Sequence, residues 1–234
     1  MAGAVERYLQ RKQEIADLAR AAGRAPDSVR LIAASKTHPP ETLQPLIKAG
    51  LTDLGENTVQ EALPKIERLR AEALTWHFIG HLQSNKAKNI PGHFAWLHSL
   101  DSLALATRLE KFAAERNTTL NALIEVNVAN DPRKHGIAPD DLEPLLESLL
   151  RVELRHITLR GLMTIGPYPA NTAEKRKHFG KLRRLHDAAQ ERLNLPTFDQ
   201  LSMGMSDDYR EAIAEGATMV RIGTAIFGDR DYSA

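Results

Sequence analysis

The sequence predicts an α/β fold, a single (β/α)8 TIM barrel with one additional helix at its N-terminus. Short apolar segments alternate with longer segments of helical periodicity, an alternation typical of a parallel sheet. Eight such strands fit within 234 residues, near the length of about 250 residues that this barrel needs. No linker separates two halves, so we expect one domain over residues 1–234, with residues 1–23 as a helix packed on the barrel.

The N-terminal segment is predicted to form the additional helix. Its apolar residues recur at spacings of three and four, with charged residues between them. They are Val5, Tyr8, Leu9, Ile15, Ala16 and Ala19. Lys12 interrupts this face, where its aliphatic stem can lie along the apolar surface. Gly23 is placed to end the helix.

The eight predicted strands are short apolar runs. They are residues 31–35, 51–54, 76–79, 96–97, 120–128, 157–163, 198–203 and 218–222. The predicted helices between them are residues 41–49, 58–72, 84–90, 102–116, 139–150, 173–193 and 206–215. The loops 129–140 and 165–172 are rich in proline, glycine and asparagine. We interpret both as loops within the barrel, because periodic segments resume directly after them.

Composition excludes several classes of function. The 31 basic and 30 acidic side chains leave a net charge of +1, which gives no bulk attraction to nucleic acid or to acidic membranes. The absence of cysteine excludes disulfides, thiolate nucleophiles and cysteine-bound metals. No apolar run is long enough to span a membrane. The N-terminal segment, charged from Glu6 onward, lacks the apolar core of a secretory signal, so we expect a cytoplasmic location.

The residues at the ends of the predicted strands are the candidates for function, because barrels carry their sites there. Lys36 follows the first strand, and Arg221 lies at the end of the last, so barrel closure would make the two strands neighbours. Burial near the barrel mouth would lower the pKa of Lys36 and leave a neutral amine able to attack a carbonyl. The alternative is a surface lysine that ends a strand.

A second candidate is the segment between residues 201 and 228. Ser206 precedes a predicted helix, so its hydroxyl and the first free N–H groups could bind an anion. Gly223 would let the backbone after the eighth strand approach a ligand. The loops after strands seven and eight are the usual phosphate site of barrels. Asp207 and Asp208 oppose this interpretation unless they point away, and simple helix capping is the alternative.

Five segments carry a resemblance to a known family. They are AASKTHP (33–39), GENTVQE (55–61), WHFIGHLQSNK (76–86), GLMTI (161–165) and the segment from SMGMSDD to TAIFG (202–228). In this order they resemble the YggS/PROSC family of pyridoxal phosphate homeostasis proteins. That family binds pyridoxal 5′-phosphate (PLP) and is related in fold to the N-terminal barrel of bacterial alanine racemase.

The resemblance implies roles for individual residues. Lys36 matches the lysine that forms a Schiff base with PLP. Arg221 matches the arginine that faces the pyridine nitrogen. The other matched positions are phosphate-binding Ser206, Gly223 and Thr224, and the ring-pocket residues Asn57 and Met163. Lys134 resembles a second lysine on a mouth loop of bacterial members, and His77 lies in a family motif without an assigned role.

The resemblance also implies a PLP carrier, with no catalytic residue assigned. A guanidinium only donates hydrogen bonds, so Arg221 would leave the pyridine nitrogen unprotonated and weaken its electron sink. Racemases take a second acid–base group from a domain after the barrel, and we expect none in the few residues after Arg221. We therefore expect a monomer that stores PLP or delivers it to apo PLP-dependent enzymes.

Two alternatives stay open. One is a PLP-dependent amino-acid enzyme of racemase type, which would show steady turnover of an amino acid. The other is a phosphate-sugar barrel enzyme without PLP, for which Glu56 or Glu125 would be the carboxylate base at a strand end.

Overall fold

The computed structural model describes residues 3–228 and shows a closed barrel of eight parallel strands. The strands are β1 (Arg30–Ala34), β2 (Asp53–Glu56), β3 (Thr75–Phe78), β4 (Trp96–Leu100), β5 (Leu120–Glu125), β6 (Ile157–Met163), β7 (Gln200–Ser202) and β8 (Met219–Ile222). Each strand pairs with the next, and β8 pairs with β1. The predicted fold class is therefore confirmed.

Helices surround the barrel. They are α1 (Ala4–Ala21), α2 (Pro40–Lys48), α3 (Val59–Arg68), α4 (Leu103–Glu115), α5 (Leu142–Arg151), α6 (Thr172–Leu193), α7 (Tyr209–Ala214) and α8 (Thr224–Phe227). Short 3-10 segments occupy Ser84–Asn89 and Pro139–Asp141. Among residues 3–228, none of these helices has both the length and the apolar character that a bilayer crossing requires. The prediction of one domain over residues 1–234 includes residues 1–2 and 229–234, which lie outside the described residues.

Several predicted boundaries were wrong. The segment predicted as a helix at 84–90 is a 3-10 turn, and β2 begins at Asp53, two residues later than predicted. The strand predicted to reach residue 128 ends at Glu125, after which an isolated bridge between Val126 and Ile137 holds the next loop. The four-residue helix α8 was not predicted, because it is too short to show helical periodicity.

Helix α1 packs on the outside of the barrel, as predicted. Tyr8 and Ile15 are buried, and the Tyr8 hydroxyl donates a hydrogen bond to the Gly50 carbonyl oxygen at 2.9 Å. Leu9, predicted on the same face, is 48% exposed, so the buried face is narrower than the pattern indicates. Lys12 is exposed, with its Nζ 6.0 Å from the centre of the Tyr8 ring.

The barrel interior follows the two-residue period of the strands. A small apolar cluster fills its centre, separate from the larger core between strands and helices. Its buried members are Ile32, Trp96, Leu123, Met163 and Met219. Because successive strand side chains alternate between faces, residues two or four positions further along lie inward and nearer the mouth. This places Glu125 and Arg221 on the same inward face, and Lys36 lies in the turn after β1.

Candidate functional site

Lys36 lies two residues beyond the end of β1, at the mouth of the barrel, and is partly exposed. The turn beyond it is tight, since Thr37 has a φ of 69° and the His38 amide donates to the Ser35 carbonyl at 3.1 Å. The same Ser35 carbonyl accepts a hydrogen bond from Lys65 Nζ of α3 at 2.8 Å. Lys65, on the helix outside the barrel, thus holds the backbone carbonyl that precedes Lys36.

Glu56 belongs to this support and faces away from the mouth. Its Oε1 accepts hydrogen bonds from Ser35 Oγ at 2.6 Å and from the buried Lys65 Nζ at 2.8 Å. Burial raises the pKa of Glu56, although Lys65 and Ser35 oppose the shift. Since Asp53 and Gly55 of β2 point inward, Glu56 lies on the outer side, beneath α3. This carboxylate is not placed as a base at the mouth.

Arg221 of β8 is buried in the barrel interior, where it contacts the neighbouring strand β7 and the residue that follows β6. Its Nη1 donates to Ser202 O at 2.9 Å and to Ser202 Oγ at 2.6 Å, and its Nη2 donates to Thr164 O at 2.9 Å. Burial lowers the pKa of Arg221 to about 10, so the guanidinium keeps its proton at neutral pH. Within residues 3–228, the Nε–H group and one Nη2–H group have no acceptor. These two donors can serve a ligand.

Ser206, Gly223 and Thr224 come together, but not as the sequence predicted. Helix α7 begins at Tyr209, so Ser206 is not its N-cap. Ser206 Oγ instead accepts the Ala225 amide of α8 at 3.2 Å, next to Gly223 and the exposed Thr224. The helix prediction was wrong because the residues before Tyr209 form a turn that the helical pattern does not distinguish.

The two aspartates of this segment, Asp207 and Asp208, have different surroundings. Asp208 is buried, and its Oδ1 accepts the Met205 amide at 2.6 Å, so its carboxylate is used within its own turn. Asp207 is exposed. A Cβ on Gly223 would meet only Ala34, at an ordinary 3.6 Å. The neighbouring protein therefore leaves room beside this glycine.

Asn57 and Met163 lie at different depths. Met163 is buried in the apolar cluster at the centre of the barrel. Asn57 follows β2 and is partly exposed at the mouth. A Cβ on Gly80 would overlap the carbonyl oxygen of Asn57, so the loops after β2 and β3 pack without space for a side chain.

Lys134 ties two mouth loops together. Its Nζ donates to the carbonyl oxygens of Gly166 at 2.6 Å and Ile165 at 3.4 Å. Burial lowers the pKa of Lys134, and Asp131 partly opposes this shift. The loop after β5 is therefore fastened to the loop after β6, beside the mouth.

Glu125 is a titratable group at the inner end of the mouth. It is buried at the end of β5, and this burial raises its pKa to about 7, against the attraction of Arg221.

His77, left without a role by the sequence, lies inside the barrel with Nε2 2.9 Å from Asp53 Oδ1. Ser202 and His98 were missed, although inward alternation along β7 and β4 could have marked them. Within residues 3–228, no group of three acidic or histidine side chains could hold a metal ion.

Comparison with known proteins identifies the family. The family model "Alanine racemase, N-terminal domain" matches residues 10–231. A pyridoxal phosphate homeostasis protein of Pseudomonas aeruginosa is 47% identical over 220 residues, covering 94% of this chain and 93% of that protein. One from Aquifex aeolicus is 45% identical over 228 residues, covering 97% of both.

A solved structure supports the same assignment. The structure of PipY from Synechococcus elongatus, with PLP bound, is 40% identical and superposes with a TM-score of 0.81. The match covers 92% of this chain and all of that one. The chain therefore belongs to the alanine racemase N-terminal domain family and, within it, to the pyridoxal phosphate homeostasis proteins.

Proposed function

We propose that this chain binds PLP at the barrel mouth and serves PLP homeostasis, holding the cofactor as a reversible Schiff base on Lys36. The observation that carries the proposal is the meeting of an amine, a guanidinium and a serine–glycine turn around paired strands β1 and β8. The names of the relatives and the PLP-bound PipY structure support it.

The residues of the mouth fit the parts of PLP. The two Arg221 N–H groups without an acceptor among the described residues suit an unprotonated ring nitrogen, because a guanidinium cannot accept. Ser206 Oγ and the backbone of Gly223 and Thr224 suit the phosphate, since that turn leaves space for a ligand. Met163, in the apolar cluster at the centre of the barrel, and Asn57, at the mouth, are the residues proposed to lie near the ring.

The chemistry of holding is a reversible condensation. PLP supplies an aldehyde, and the neutral amine of Lys36 attacks its carbon to form a C=N bond with release of one water. Attack by water or by a second amine returns the Lys36 amine and frees the cofactor. We propose that apo forms of PLP-dependent enzymes are the recipients, because their own lysines supply such an amine.

The assembly and location belong to the same proposal. We propose a monomer, for which light scattering would report a mass near 26.0 kDa. The cytoplasmic location stays a prediction from the sequence. We propose a carrier without turnover, since Arg221 leaves the ring nitrogen unprotonated and thus weakens its electron sink.

One observation favours a second candidate, a PLP-dependent amino-acid enzyme of racemase type. Glu125 has a pKa of about 7, so near neutral pH it can exchange a proton with a bound molecule. Steady racemisation or deuterium exchange of an amino acid, lost in a Glu125→Gln variant, would establish this candidate against the carrier.

Borohydride reduction tests the proposed linkage. Protein mixed with PLP should turn yellow, and reduction should fix one PLP per chain on the peptide that contains Lys36. Absorption spectroscopy and peptide mapping measure both results. A label on any other lysine would refute the site, and no visible absorbance would refute PLP binding and favour a barrel enzyme without PLP.

Replacing Ser206 with alanine tests the proposed role of Ser206 in binding the phosphate. We expect PLP affinity to fall about tenfold, the effect of one hydrogen bond to a charged group. Affinity for pyridoxal, which lacks the phosphate, should change by less than about twofold. Equal losses for both ligands would show that Ser206 acts on the fold and not on the phosphate.

A further inference from the structure

A chain of five polar side chains crosses the barrel interior behind the proposed site. Asp53 Oδ1 lies 2.9 Å from His77 Nε2, and His77 Nδ1 lies 3.0 Å from His98 Nε2. His98 Nδ1 lies 2.8 Å from Ser202 Oγ, which Arg221 Nη1 contacts at 2.6 Å. The chain joins β2, β3, β4, β7 and β8, and each member is at most 8% exposed.

The direction of every hydrogen bond follows from its two ends. Arg221 can only donate, so Ser202 Oγ accepts from it and passes its own hydrogen to His98 Nδ1. His98 then carries its hydrogen on Nε2 and donates to Nδ1 of His77. His77 in turn donates from Nε2 to Asp53, the acceptor that ends the chain.

The charges support this arrangement. Burial lowers the pKa of His77 and takes that of His98 well below its ordinary value, so both rings are neutral. The pKa of Asp53 is lowered despite its burial, because His77 and Thr52 donate to the carboxylate and Arg30 lies beside it. Arg30 Nη1 is 3.0 Å from Asp53 Oδ1 at the outer end of the chain. A carboxylate at one end thus faces a guanidinium at the other through neutral groups alone.

The chain acts on the orientation of Arg221. The Ser202 hydroxyl and two backbone carbonyl oxygens hold three N–H groups of the guanidinium. Of these acceptors, only the hydroxyl can rotate, and its hydrogen bond to His98 prevents rotation. The hydrogen bonds to Ser202 and to the Thr164 carbonyl therefore fix the plane of the guanidinium and the direction of its two remaining N–H groups.

We propose that Asp53, His77, His98 and Ser202 are positioning residues that hold Arg221 against the ring nitrogen of bound PLP. The proposal rests on the PLP-binding function above and adds what controls the electronic state of the cofactor there. A chain broken at any link leaves a buried donor or acceptor unpaired and releases Arg221 to other orientations.

The first test needs no cofactor. Two-bond proton–nitrogen NMR spectra of the protein without PLP report which ring nitrogen of each histidine carries hydrogen. We expect the neutral Nε2–H form for His77 and for His98 at pH 8, with His77→Gln and His98→Gln variants assigning the signals. An Nδ1–H form at either position would overturn the ordered chain.

The second test breaks the chain and reads the bound cofactor. Ser202→Ala and His98→Leu should each raise the PLP dissociation constant about tenfold, the range for a hydrogen bond to a charged group. They should also shift the pH midpoint of the visible absorbance of bound PLP by about one unit. His98→Gln retains a donor and an acceptor and should restore both values to within about threefold of wild type.

His186→Leu is the matched control. His186 of α6 is also buried, but it stacks on Phe198 and is not part of the chain of side chains. Its variant should fold and should keep the wild-type PLP affinity and absorbance midpoint. Folded Ser202→Ala or His98→Leu protein with wild-type values would refute the positioning role. If wild-type protein bound no PLP, the proposed function would fall, while the tautomer spectra would still decide whether the chain exists.

Discussion

Lys36→Ala protein is expected to hold no PLP that borohydride can fix above the level of surface-lysine labelling. A weaker, reversible complex should persist, because in the proposed site Arg221 would still contact the ring, and the turn of Ser206 and Gly223 would still contact the phosphate. We expect the dissociation constant to rise about 10- to 100-fold, equal to about 1.4–2.8 kcal/mol. Equilibrium dialysis and mass spectrometry after reduction measure the two effects separately.

Lys134→Ala is the matched control for this experiment. Its amine lies beside the mouth but donates to two backbone carbonyls of the loop after β6. Reduction should still fix one PLP per chain in this variant. If Lys36→Ala retained its fixed PLP while Lys134→Ala lost it, the Schiff base would belong to the loop lysine.

The second large effect concerns stability. Lys65→Met should lower the free energy of unfolding by about 3–5 kcal/mol, because it leaves Glu56 as an unpaired buried charge. The Ser35 carbonyl, next to Lys36, also loses one of its two donors and keeps the His38 amide. Urea unfolding measures the change. Lys111→Met removes an exposed amine 3.9 Å from Glu115 and should change stability by less than about 0.5 kcal/mol.

The pH dependence has a defined sign. Burial raises the pKa of folded Glu56 above the ordinary value of 4.5, so the folded state binds its proton more tightly than the unfolded state. Stability from this group is therefore present below pH 4.5 and is lost as pH rises through the folded pKa. Without Lys65 this loss is larger. The deficit of Lys65→Met, which is its lower free energy of unfolding compared with wild-type protein, should therefore be smaller near pH 4.5 than at pH 7. A deficit independent of pH would show that lost packing and not charge is the cause. The double variant Glu56→Gln with Lys65→Met should recover part of it.

The sequence was sufficient for the fold and for where two of the proposed site residues, Lys36 and Arg221, lie in it. Alternating strand and helix patterns predicted the barrel, and the position of Lys36 after β1 and Arg221 in β8 followed from strand order. The turn of Ser206 was predicted in the right place with the wrong partner. Its hydroxyl accepts from a helix of four residues, too short to leave a periodic pattern.

Glu56 and Glu125 show the limit of prediction from strand ends. Both close a strand, yet Glu56 faces α3 and Glu125 faces the interior. The choice depends on which face of the strand each residue takes. Side chains alternate between the faces with a period of two, so Glu56, one residue after the inward Gly55, faces outward, whereas Glu125, two residues after the inward Leu123, faces inward. Position at a strand end alone does not distinguish the two faces.

The sequence alone determined the eight strands, their order and the residue types at their ends, because these depend on local periodicity and chain connectivity. Only the tertiary structure decided that His98 meets Ser202, 104 positions away, and that Ser202 meets Arg221. Such contacts depend on the stagger between strands when the barrel closes, which sets the height of each inward side chain. That stagger is a property of the closed sheet and not of any one segment.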